Sequence, residues 1–106
     1  MPKYLIEASY TDEGVRGLLK EGGTGRTEAV GKAMASLGGA VESFHFAFGD
    51  RDAIVIIECP DNVTAAGLAL SVASSGAVNI KTTPLLTPEE IDRAVKVRSD
   101  YKAPGA

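Results

Sequence analysis

Between Lys3 and Tyr10 apolar and polar positions alternate in part, with Tyr4, Ile6, Ala8 and Tyr10 on one side and Leu5, Glu7 and Ser9 on the other. That period of two predicts a strand. Thr11 is suited to cap the helix that follows, Asp12 and Glu13 sit favourably in its first turn, and Val15, Leu18 and Leu19 supply one apolar face. The run Gly22-Gly23-Thr24-Gly25 breaks this periodicity, which resumes at Val30, Ala33, Met34 and Leu37 and stops at Gly38-Gly39. The first helical region is therefore predicted as two pieces joined by a glycine-rich kink, with Gly38 at the left-handed position that ends the second.

Two runs of strand composition, Val41–Phe48 and Ala53–Glu58, flank Gly49-Asp50-Arg51-Asp52 and predict a β-hairpin. The first arm puts Phe44, Phe46 and Phe48 on one face and Ser43, His45 and Ala47 on the other, whereas Ala53–Ile57 has no polar face. Asp61 is placed as an N-cap after Pro60, and Val63, Ala66, Gly67 and Leu70 mark the apolar stripe of a second helix ending near Ser75-Gly76. Val78–Leu86 predicts a fourth strand. Thr87-Pro88-Glu89-Glu90 then reads as a capping box that opens a short last helix carrying Ile91 and Val95.

The order β-α-β-β-α-β with a short C-terminal helix is that of an α+β, ferredoxin-like domain, expected over residues 1–98 with 99–106 as a frayed tail. Its two crossover helices cover one face of the sheet. A strand that is apolar on both faces needs cover on both. The final helix is too small for that task, so sheet-to-sheet packing against another copy is expected, giving a homodimer or higher oligomer.

Composition narrows the function by exclusion. One hundred and six residues make one domain, and 44% hydrophobic with 24% charged residues is the balance of an ordinary globular chain. The net charge of -3, with basic residues at Arg93, Lys96, Arg98 and Lys102 interleaved with acids, argues against nucleic acid or an anionic membrane as partner. One His and one Cys exclude an intrachain disulfide and a zinc site built from several such ligands, so neither a metal nor a cofactor is expected. No stretch approaches the roughly 20 apolar residues of a membrane span or resembles a signal peptide, and the expected compartment is the cytoplasm.

Several short motifs recur in order: Pro2-Lys3-Tyr4, Tyr10-Thr11, Ser36-Leu37-Gly38-Gly39, Phe48-Gly49-x-x-Asp52 before an apolar strand, and Glu58-x-Pro60-Asp61. Together, over roughly residues 2 to 90, the chain resembles the GYD-domain family, named for a Gly-Tyr-Asp motif in the hairpin. Here the hairpin reads Gly49-Asp50-Arg51-Asp52, so Arg51 stands where the family Tyr is expected. The resemblance implies a ferredoxin-like fold of the dimeric α+β barrel type. Kinship with small cofactor-independent monooxygenases and isomerases is at the level of fold only.

Candidate chemistry is sparse. His45 is the one side chain that titrates near neutrality, a candidate general acid or base or an inert interface histidine. Tyr4 and Tyr10, with Glu7 and Ser9 on the same strand, are candidates to add polar groups to an apolar cavity. Arg51 offers a rigid fork of donors for an anionic group, and Asp52 is expected to bond the turn amides. Gly22–Thr27 is a weak phosphate-loop candidate, because Glu28 replaces the third glycine of a nucleotide fingerprint and no strand directly precedes it. Cys59 has no evident base and reads as a small buried hydrophobe. The expected function is a homo-oligomeric module that binds a small, partly apolar ligand in a cleft between the open sheet face and the partner copy, lined by Tyr4, Tyr10, His45 and Arg51. The alternative is a cofactor-independent enzyme with His45 as acid or base.

Overall fold

A computed structural model describes Met1–Ala106. The elements are β1 (Lys3–Tyr10), α1 (Asp12–Ser36), β2 (Ala40–Phe46), β3 (Ala53–Glu58), α2 (Asn62–Ser74), β4 (Val78–Leu85) and α3 (Pro88–Ala94). The strands form one antiparallel sheet in the order β2-β3-β1-β4. This is an α+β, ferredoxin-like fold.

The pleat sorts the two central strands. Tyr4, Ile6 and Ala8 of β1 and Ala53, Val55 and Ile57 of β3 are buried on one face, where Met34 of α1, Ala65 of α2 and Cys59 complete the core. On the other face Leu5 lies between Ile56 and Thr83, and Glu7 between Ile54 and Lys81. These side chains are at most half-buried, and no residue of α3 is buried over them or anywhere else. The two-sided apolar character of β3 is thus real, and one of its sides is open in the single chain.

Each helix begins at a side-chain cap. Thr11 accepts from Gly14 N at 3.2 Å, Asp61 from Thr64 N at 2.8 Å, and Thr87 from Glu90 N at 3.1 Å, with Glu90 accepting from Thr87 N at 2.9 Å in return. Such reciprocal bonds satisfy the donors that a helix start leaves free. Gly22 breaks α1 with φ 74° and ψ 171°, a conformation nearly confined to glycine. Gly38, at φ 75°, ends α1 as expected.

Four expectations are corrected. The α2 stripe Val63, Ala66, Gly67 and Leu70 faces outward, and the helix packs through Ala65, Leu68 and Val72 instead. No residue from Asn62 to Ser74 is charged, so nothing in the pattern marks a solvent side. In α1, Val15 and Leu19 are exposed and Gly14 makes the contact, because a Cβ there would overlap the Ala77 carbonyl. That close approach turns the neighbouring apolar pair outward. β2 ends at Phe46, leaving Phe48 outside the sheet and fully exposed, and a register shift between Val41 and Ser43 breaks its simple alternation. Finally, the Asp52 carboxylate bonds the end of β1 rather than the turn amides.

Candidate functional site

The kink lets the second half of α1 stand apart from α2 above the sheet. Between them lies a cavity of about 400 Å3, walled by Val30 and Ala33 of α1 and Leu68 and Val72 of α2, over a floor that includes Ile6 and Val55. That volume falls within the range of small-molecule sites, and a mostly apolar lining with a few polar groups is their usual composition. Its polar lining groups are Tyr10, Arg26, Ser71 and Ser75, and the first two, which also line a neighbouring cleft, mark the mouth where the chamber opens toward it. A second cleft of about 390 Å3 continues past Tyr10 and Arg26 under the first half of α1, among the charged side chains of Glu13, Arg16, Lys20 and Glu21.

Tyr10 and Arg26 therefore stand at the junction of an apolar chamber and a charged groove. Arg26 opens the second piece of α1 just after the glycine run. Its Nε is buried and lies 3.1 Å from Glu21 Oε1, an ion pair without hydrogen-bond alignment, so that N–H has no hydrogen-bond acceptor. Burial pushes the Tyr10 hydroxyl above its ordinary pKa of 10.0, against the opposing pull of Arg26. The phenol consequently stays protonated at neutral pH and keeps its donor.

The structure separates the four residues expected to share a cleft. Tyr4 is 1% exposed in the core, its hydroxyl donating to Asn62 Oδ1 at 2.6 Å. Tyr10 is at the cavity mouth. His45 pairs with Ile54 on the open face of the sheet and is exposed on the edge strand. Arg51 lies on that open side too, 3.9 Å from the Glu7 carboxylate. The inner face thus holds the two tyrosines and the outer face the histidine and the hairpin arginine.

The remaining candidates take structural positions. Cys59 is fully buried, and burial raises its pKa, with the Asp61 charge adding to the effect, so the thiol is a poor nucleophile. Gly22–Thr27 forms the kink, and Gly23 packs close to the Phe46 ring. Arg26 is not singled out by the sequence reading, which takes its segment as a helix kink or a phosphate-loop candidate. The available signal was an arginine one turn before Val30 and two turns before Ala33 on the same apolar stripe. No helix is long and apolar enough to cross a membrane.

A family profile described as the GYD domain matches residues 4–95, most of the chain. Comparison with curated proteins and with solved structures gave no match.

Proposed function

For this member of the GYD domain family, to which the match over residues 4–95 assigns the chain, we propose a homo-oligomeric module that binds a small, partly apolar ligand. The cavity between the helices and the sheet carries the reading, since an apolar chamber of about 400 Å3 ends in a hydroxyl and a guanidinium. The expected cleft therefore moves from the outer face of the sheet to the inner one. An apolar body occupies the chamber beneath Val30 and Leu68, and a polar or anionic head meets Tyr10 and Arg26, whose fork has donors beyond the one beside Glu21. The open face, with Leu5, Ile54 and Ile56 at its centre, is left to a second copy. Its two ends differ in charge, with Lys3, Glu42 and Glu58 at one and Glu7, Arg51 and Lys81 at the other, so an antiparallel pairing sets net negative against net positive. Acid–base catalysis at His45 gains nothing from the geometry, because the imidazole is on the side of the sheet away from the cavity.

Calorimetric titration with octanoate, and with octanol as the headless control, tests the ligand reading. Saturable binding of one octanoate per chain, weakened when the head is removed and abolished by Ala29→Phe in the cavity wall, is the expected result. Binding that survives Ala29→Phe, or no saturable binding by either probe, overturns it. Sedimentation of the full chain tests the second copy, and a monomer at micromolar concentration refutes it.

A further inference from the structure

After β4 the chain leaves the body of the domain. The radius of gyration is 16.9 Å with a longest extent of 56 Å, against about 13 Å for a compact chain of about 100 residues. Leu86, Ile91, Val95, Val97 and Tyr101 are between 46% and 77% exposed along this segment. Five large apolar side chains are thus left from about half to three-quarters exposed by their own chain.

The local chemistry directs the segment outward. Thr87 has φ -78° and ψ 160°, and the following Pro88 disfavours the helical alternative at that position, so the two-residue link from β4 runs extended into α3. The capping box and Pro88 then start a helix of seven residues, a length that is marginal in water without packing. Ile91 and Val95, four residues apart, fall on one face of it. A well-specified helix start attached to an unpacked helix indicates that its packing partner is elsewhere.

We propose that residues 86–101 form an arm exchanged between two copies of the chain, which lays Ile91, Val95 and Tyr101 against the partner and clasps the packed sheets. This rests on the sheet-face association proposed above. The arm starts where that face ends, since Leu85 pairs with Lys3 at the edge of the sheet. Four strands about 4.8 Å apart and about 25 Å long give the face a flat footprint of about 500 Å2, a small base for an interface of the usual size, which buries about 800 Å2 of accessible surface from each partner. The arm adds area to it. Within the arm four acids, Glu89, Glu90, Asp92 and Asp100, stand against three bases, Arg93, Lys96 and Arg98, so its own charge is only -1 and its approach to a second copy meets little net repulsion. Two-fold symmetry makes the exchange reciprocal, and each arm contact counts twice.

Amide hydrogen exchange and sedimentation of the full chain test the proposal together. Amides of residues 91–97 are expected to be protected at concentrations where the dimer forms and to lose protection on dilution below its dissociation constant. The double variant Ile91→Asp, Val95→Asp, in positions outside the core, is expected to weaken dimerisation by about 100-fold or more. Equal protection at every concentration means that the arm folds back on its own chain, and an unchanged dissociation constant means that the sheets associate without it. Either result overturns the exchange. Ile54→Asp separates the two readings, because loss of the dimer there with no loss in the arm variant leaves sheet-face association standing and removes only the arm.

Discussion

The Asp52 carboxylate accepts a hydrogen bond from the Tyr10 backbone N–H at 2.8 Å, tying the β2–β3 hairpin to the last residue of β1. A main-chain bond reinforces the link, Asp52 N donating to Ala8 O at 2.8 Å, while Ala47 N donating to Asp52 O at 2.8 Å closes the hairpin on itself. Asp52 is also the acid of the hairpin motif, and Tyr10 is at the cavity mouth. The motif thus has a structural task in this chain, holding the strand end that carries a candidate ligand contact. Asp52→Ala leaves the Tyr10 amide unpaired and is expected to cost about 1–3 kcal/mol, read as a lower urea midpoint.

Two glycines of α1 should respond to alanine with opposite sign. Gly17 is helical with open space around its Cβ direction, so Gly17→Ala is expected to stabilise by up to about 1 kcal/mol through helix propensity. Gly22 also has open space, but at φ 74° and ψ 171° a side chain is strained. Gly22→Ala is expected to cost about 1–3 kcal/mol. Thermal melts of the two variants check the contrast, and a shared sign contradicts it.

On the alkaline side, burial raises the Tyr4 hydroxyl above its ordinary 10.0 and the Cys59 thiol above its ordinary 9.0. Below those ordinary values both groups are protonated in the folded and unfolded states, and their contribution is constant. As pH rises past them the unfolded chain releases its protons first, so stability falls until the folded values are passed. Urea midpoints are therefore expected to be flat from pH 7 to about 9 and to decline above it. Tyr4→Phe should lose about 1 kcal/mol at neutral pH with the bond to Asn62 and show a shallower alkaline decline.

The acid limb has a different origin. Backbone N–H donation from Thr64 holds the Asp61 carboxylate below its ordinary 3.8. That contribution is present above the unfolded value and disappears as pH falls through the folded one. Asp61→Asn retains a good N-cap, so it should leave neutral stability nearly unchanged while flattening this limb. Helicity followed from pH 7 to 2 by circular dichroism distinguishes the two chains.

What the pattern of residues discloses depends on contrast between faces. β1 alternates in part, with Leu5 the exception, and its limits were legible to the residue, as were the caps at Thr11, Asp61 and Thr87 and the kink after Glu21. α2 has no charged residue, so both of its sides look alike and its buried face was hidden. Phe48 is assigned to one strand face with Phe44 and Phe46 because alternation says nothing about where pairing stops. The cavity was hidden for a similar reason, since its walls come from Val30 and Leu68, 38 positions apart, and its mouth from Arg26 and Tyr10. Only the angle between helices brings them together.

Gly22 gives the two halves of α1 separate anchors. The first is fastened through Thr11 and Gly14 to the turn before β4, and the second through Met34 and the close approach of Gly39 to Glu58. The wall formed by Ala29, Val30 and Ala33 is therefore tied to the core at its Met34 end and begins, at its Arg26 end, just after the break in the helix. One glycine thus turns a single rod into two struts with separate footings, each taking its position from its own contacts.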